Sequence, residues 1–175
     1  MANEAVVLTP HLFFARRGDT IDAVVVAREA KPDVTPETNW TDLGICATFN
    51  VEDNGTTEDI MKGQPGVVSL YDVLKLTDGR TVTCEMVEMN ALAVQALFNS
   101  GNISTTFVPG SAGRHLQGWL KIQLYNQDNE LVIAMDIWAD IQLTSLTSGL
   151  GQRTGYTLAF RQLYSTLNTG NLSNL

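Results

Sequence analysis

The sequence predicts an all-β fold, a β-sandwich or barrel with one flanking α-helix, and three observations predict it. From Leu131 to Ser145, the apolar residues Leu131, Ile133, Met135, Ile137, Ala139, Ile141 and Leu143 alternate with Asp136, Trp138, Asp140, Gln142 and Thr144, the period of a strand with one buried face. Leu116 to Tyr125 alternates in the same way, and Gln127-Asp128-Asn129 turns one run into the other, which makes a hairpin. The third observation is composition: the chain has 175 residues, of which 17% are charged and 44% hydrophobic, with 19 Thr and 12 Asn. A chain short of charge and rich in Thr keeps few solvated faces and favours strands. Its length suits one domain and buries a core without staples.

Taken from the N-terminus, residues 1–33 mix short apolar runs (Leu12-Phe13-Phe14, Ala23 to Ala27) with charge and predict an arm with one or two short strands. Pro32 and Pro36 make Lys31 to Asn39 a connector, because proline withholds a ladder donor and fixes φ. Trp40 to Val51 is extended. Residues 52–66 lose all periodicity (Glu52, Asp53, Asn54, Gly55, Glu58, Asp59, Gly63, Pro65, Gly66) and predict a long acidic loop. Val67 to Leu76 and Arg80 to Met89 flank Asp78-Gly79 and predict a hairpin, since both turn residues tolerate positive φ. Asn90 caps a predicted helix over residues 90–99, with Leu92, Ala93, Ala96 and Leu97 on one face and Gly101 closing it. After a glycine-containing loop, Tyr156 to Ser165 is a last strand. Residues 171–175 are a polar tail. The paired C-terminal strands, at roughly 10 to 15 residues against a usual 5 to 6, fit a sheet that continues across subunits.

The formal charge of −8 excludes a constitutive nucleic-acid binder, which needs a basic stripe. Arg16-Arg17 is the densest basic feature, so anionic membrane surfaces are disfavoured as well. The excess acid is uneven: residues 1–88 hold 15 acids and 7 bases, residues 89–175 four of each. No apolar run approaches a membrane span and no secretory leader is recognisable, so a soluble, intracellular chain is expected. Cys46 and Cys84, with no second ligand nearby, are expected as buried free thiols.

Candidate chemistry is sparse. His11 and His115 are the only histidines and neither stands at ligand spacing from another. Gly110 to Arg114 is too short for a phosphate-binding loop and has no Lys. Gly55 follows Asp53 too closely for a calcium-binding EF-hand loop. Asp136 and Asp140 share a strand face roughly 13 Å apart, too far for a catalytic pair. An enzyme is not expected, and no cofactor or metal is implied. Trp119 and Trp138 stand on the polar faces of the paired strands, where they pair across the hairpin or form a platform for stacking on sugars. Trp40 is expected to anchor the arm.

The order of parts resembles that of the tail tube (major tail) proteins of long-tailed bacteriophages. The residues that carry the resemblance are a Pro-containing lead-in, Trp40-Thr41-Asp42-Leu43-Gly44, the acidic loop, a hairpin, a helix, long paired strands and the closing Thr157-Leu158-Ala159-Phe160-Arg161-Gln162-Leu163-Tyr164. It covers roughly residues 34–170 as one β domain and leaves the arm unexplained. The resemblance implies a β-sandwich or barrel whose inner strands join those of neighbours in a hexameric ring, and rings that stack into a tube conducting DNA without specific binding. It implies assembly in the host bacterial cytoplasm into the virion tail. Partners would be further copies of the chain and other tail proteins (tape measure, terminator, baseplate). Asp136, Asp140, Glu85 and Glu88 are the candidate lumen charges. Glu52, Asp53, Glu58, Asp59 and Lys62 would sit on the loop that reaches the neighbouring ring. Alternatives are a carbohydrate-binding β-sandwich using Trp119 and Trp138, and a tail terminator or head–tail joining protein.

Overall fold

The structure, a computed structural model, describes residues 8–33, 39–75, 79–87, 116–147, 150 and 155–172. In chain order the strands are β1 (Thr9–Arg16), β2 (Thr20–Ile21), β3 (Val24–Val25), β4 (Thr41–Asp53), β5 (Thr57–Gln64), β6 (Val67–Lys75), β7 (Arg80–Met86), β8 (Leu116–Tyr125), β9 (Leu131–Thr147), β10 (Gly155–Gln162) and β11 (Thr169–Leu172). The described residues contain no helix; the helix expected at 90–99 lies outside them.

Six strands close into an antiparallel barrel in the order β10-β7-β4-β1-β8-β9, with β9 returning to β10. Closure depends on the length of β9, at 17 residues. Leu131 to Ile141 pair with β8 along one edge, and Ala139 to Thr147 pair with β10 along the other. The part of that second edge which β10 leaves open is taken by β11, opposite Ile133 to Asp136. Between β10 and β11, the Trp138 carbonyl accepts from Leu163 N (2.8 Å) and the Trp138 N–H donates to Asn168 Oδ1 (2.8 Å). No backbone group of that crossing is left bare, as a buried ladder requires.

A barrel of this size encloses only side chains. The alternation of β8 and β9 sends Leu116, Leu120, Ile122, Ile137 and Ile141 inward to meet Leu12, Phe14, Val82, Leu158 and Phe160. Cys46 and Cys84 are buried in the same core. The neighbouring Cys46 thiol, and then burial, push the Cys84 thiol well above its usual range, while Cys46 Sγ itself donates to Met86 Sδ (3.6 Å). Gly118 occupies an inward position of β8 where a Cβ would collide with the Ala15 carbonyl oxygen and the Phe14 ring. Only glycine permits that approach.

Three sequence expectations are corrected. The described part of the expected arm, residues 8–33, is not appended: β1 lies between β4 and β8 as a barrel strand. Residues 17–33 then fold back over the outer face of β8 and β9 as a flap. Residues 52–66 are not a loop, because β4 runs through Asp53 and β5 fills Thr57 to Gln64. The strands flanking Asp78-Gly79 do not pair with each other; β6 pairs with β5, and β7 with β4 and β10. The hairpin turn is Pro65-Gly66, with Gly66 at φ +82°, while Gly79 marks the return to the barrel and accepts from Asn54 N (2.7 Å).

Candidate assembly surface

β4 and β7 pair up to Asp53 opposite Arg80, and β5 and β6 continue upward from Thr57 opposite Lys75 to Gln64 opposite Val67. The result is a two-stranded ribbon about 27 Å long that projects from one end of the barrel walls. Its foot is tied by Asp53, whose Oδ1 accepts from Gly55 N (2.8 Å) and whose Oδ2 faces Lys75 Nζ at 3.5 Å. The Gly55 N–H first, and Lys75 next, hold the Asp53 carboxyl below its usual 3.8.

Ile60, Met61, Val67, Val68, Leu70, Tyr71, Val73 and Leu74 on this ribbon are exposed by 42% to 68%. Register sorts them. Asp59 opposite Val73, Met61 opposite Leu70 and Gly63 opposite Val68 share one face, since side chains alternate along a strand. Asp59 is the only charge among those three pairs. The other face alternates apolar and polar groups: Glu58 with Leu74, Ile60 with Asp72, Lys62 with Ser69. Lys62 Nζ sits 5.2 Å from the Tyr71 ring centre. All five residues expected on the reaching loop are thus exposed on or at the foot of the ribbon, with Glu52 and Asp53 on β4 and Glu58, Asp59 and Lys62 on β5.

The outer barrel wall falls into two parts. One, formed by β4, β7, β10 and the end of β9, carries rows of polar groups, mostly neutral, read from the register: Thr48, Glu85, Thr157 and Ser145, then Asn50 beside Thr83, then Glu52, Thr81 and Arg161. Glu85 is exposed there and accepts from Thr48 Oγ1 (3.3 Å). The other part, over β8 and the first half of β9, is covered by the flap. Ala15, Ile21, Val26, Trp40, Trp119 and Trp138 form a second buried cluster beneath it. Trp119 and Trp138 face each other across the strands with ring centres 5.5 Å apart, and Trp119 Nε1 donates to Ala27 O (2.8 Å). Ser165 Oγ donates to Arg28 O (2.7 Å), and Lys31 Nζ meets Asp136 Oδ2 (2.7 Å).

That flap settles the placement of several candidates. Trp119 and Trp138 are 0% and 1% exposed, so neither is a sugar-stacking platform. Trp40 lies in the same cluster, with Lys121 Nζ 5.1 Å from its ring centre. Asp136 is held by Lys31, and Asp140 is buried beside Gln117 and Arg161 in the register. Asp136 lies under the flap, Asp140 continues the Arg161 row at the edge of the polar wall but is buried, and Glu88 lies outside the described residues. His11 is bound to Asp42 (2.7 Å), and no group of three or more metal-ligating side chains occurs among the described residues.

Where the flap leaves the barrel, Arg17, Ala27, Arg28, Glu29, Gln117 and Trp138 line a cleft of about 280 Å³. Arg17 Nη1 donates to Gln117 Oε1 (3.0 Å). A second, mostly apolar hollow of about 240 Å³ opens at the foot of the ribbon between Val51, Arg80, Ile122 and Met135.

Fold and surface together define a closed antiparallel β-barrel with a walled-off tryptophan cluster and a projecting apolar ribbon. No protein-family model matches the chain, and no curated protein matches it. Among solved structures, a chain of the anti-feeding prophage baseplate, determined by cryo-electron microscopy with sixfold symmetrisation, aligns over 100% of both chains with 14% identity and a TM-score of 0.46. At that similarity the match assigns neither a family nor a role.

Proposed function

We propose that the protein is a structural subunit of a phage tail tube, closing into hexameric rings that stack through the β5–β6 ribbon. The observation that carries the proposal is the ribbon itself: eight large apolar side chains on a hairpin that pairs with no other strand among the described residues and leaves them exposed. An isolated two-stranded hairpin is marginal in water, and neither of its edges pairs with another strand among the described residues. Covering those side chains is worth on the order of 10 kcal/mol, comparable to an association cost of about 4–15 kcal/mol, and a closed ring adds further contacts.

The polar wall of β4, β7 and β10 is the face assigned to the lumen. Its Thr, Ser and Asn groups with Glu52 and Glu85 give DNA no basic stripe to hold, and Arg161 is the one cation in its rows. Asp136 and Asp140 are not assigned to the lumen, because Lys31 of the flap holds the first and the second is buried. The role is structural and needs no cofactor. Sedimentation velocity across a concentration series tests it: large assemblies above a threshold concentration are expected, and a 19.1 kDa monomer at every concentration contradicts it.

A further inference from the structure

If the apolar face of the ribbon is covered by another subunit, Asp59 is covered with it. A carboxylate taken out of water needs a cation, or the interface is weakened by the uncompensated charge. The ribbon offers none on that face, where Asp59 stands opposite Val73 and beside Met61 and Leu70. Each lysine already has a contact within its own chain: Lys31 with Asp136, Lys75 with Asp53, Lys62 over Tyr71 and Lys121 over Trp40. Arg17 and Arg28 are exposed, and neither has a carboxylate partner among the described residues. Both line the flap cleft, with Glu29 as the acid in its wall. Trp138, part of the same wall, has an indole N–H with no acceptor among the described residues.

Position fits as well as charge. The ribbon leaves the end of β4 at Asp53, whereas Arg17 follows the end of β1, where Phe14 pairs with Thr41 at the start of β4. Ribbon and cleft therefore lie at opposite ends of one strand. A contact between them joins the head of one copy to the tail of the next and leaves each copy with an unused half to propagate.

From this we infer that the flap cleft is the docking site for the ribbon of a second copy of the chain, with Asp59 of one copy paired to Arg17 and Arg28 of the next. The contact deepens the self-assembly proposed above and rests on it. A charge exchange tests it, because all three side chains are exposed and dispensable for the barrel. Asp59→Arg alone, and Arg17→Asp with Arg28→Asp, should each raise the concentration needed for assembly by about tenfold or more. Combining the three substitutions in one chain should restore most of the loss, and unchanged tryptophan fluorescence should show the buried cluster intact in every variant. Assembly of folded single-site variants at the wild-type concentration, or no recovery in the combined variant, overturns the contact while leaving self-assembly standing. A wild-type protein that stays monomeric overturns both.

Discussion

Gly118 shows how one residue fixes the barrel. The Phe14 ring and the Ala15 carbonyl occupy the space a Cβ would need, so Gly118→Ala must push β1 from β8. The expected loss is about 1–3 kcal/mol of stability, the usual cost of overpacking, read as a lower denaturant midpoint; an unchanged midpoint would contradict the packing. Asp22 and Ala23 turn β2 into β3 with φ of 47° and 64°. A left-handed alanine costs roughly 1–2 kcal/mol, so Ala23→Gly is expected to raise the midpoint. Asp53 supplies a pH dependence with a definite sign. Its folded pKa lies below its unfolded value near 3.8, so its contribution is complete above that value and is lost as pH falls through the lowered folded one. An NMR titration of its carboxyl carbon should give a midpoint under 3.8, returning toward 3.8 when Lys75→Ala removes part of the cause.

The elements differ in how plainly the sequence announces them. β8 and β9 are legible because apolar side chains stand at every second position, although the flap buries much of the other face too, and the turn at Asn126 to Glu130 follows from Asn126, whose Oδ1 accepts from the N–H groups of Asp128 and Glu130. Of the ribbon, β6 is legible as the strand expected from Val67 to Leu76, whereas β5 is not, since with both faces in water it shows no alternation to detect. Asp78-Gly79 misled because a residue pair suited to a turn says nothing about which strands it joins; the long-range pairing of β4 with β7 decided that. The flap was hidden for a similar reason, as its hold on the barrel runs through Trp119, Ser165 and Asp136, far along the chain. Of the candidate site, the charged residues of the ribbon were found as an acidic stretch, but its apolar face and the Arg17–Arg28 cleft were not, because both depend on register and on the flap closing. Replacing residues 57–75 by a short turn should leave the barrel folded, with its thermal transition and tryptophan emission retained, and abolish assembly. Assemblies of normal size from that variant would remove the ribbon from the interface.

At the scale of the molecule, the division of the outer surface is the informative feature. One wall is sealed by the flap over three tryptophans, the other is left as rows of Thr, Ser and Asn with scattered acid, and the apolar surface is concentrated on an element that projects past the barrel. A protein that functioned alone would gain nothing from holding such a ribbon in water. On the proposed reading the charge of −8 has a local meaning: acids at the ribbon would meet cations of another copy, and acids on the polar wall would repel a passing polyanion. Negative-stain electron microscopy of the purified protein above its assembly threshold tests the whole account. Hollow rods built of stacked sixfold rings are the predicted result, and uniform monomers or irregular aggregates would contradict it.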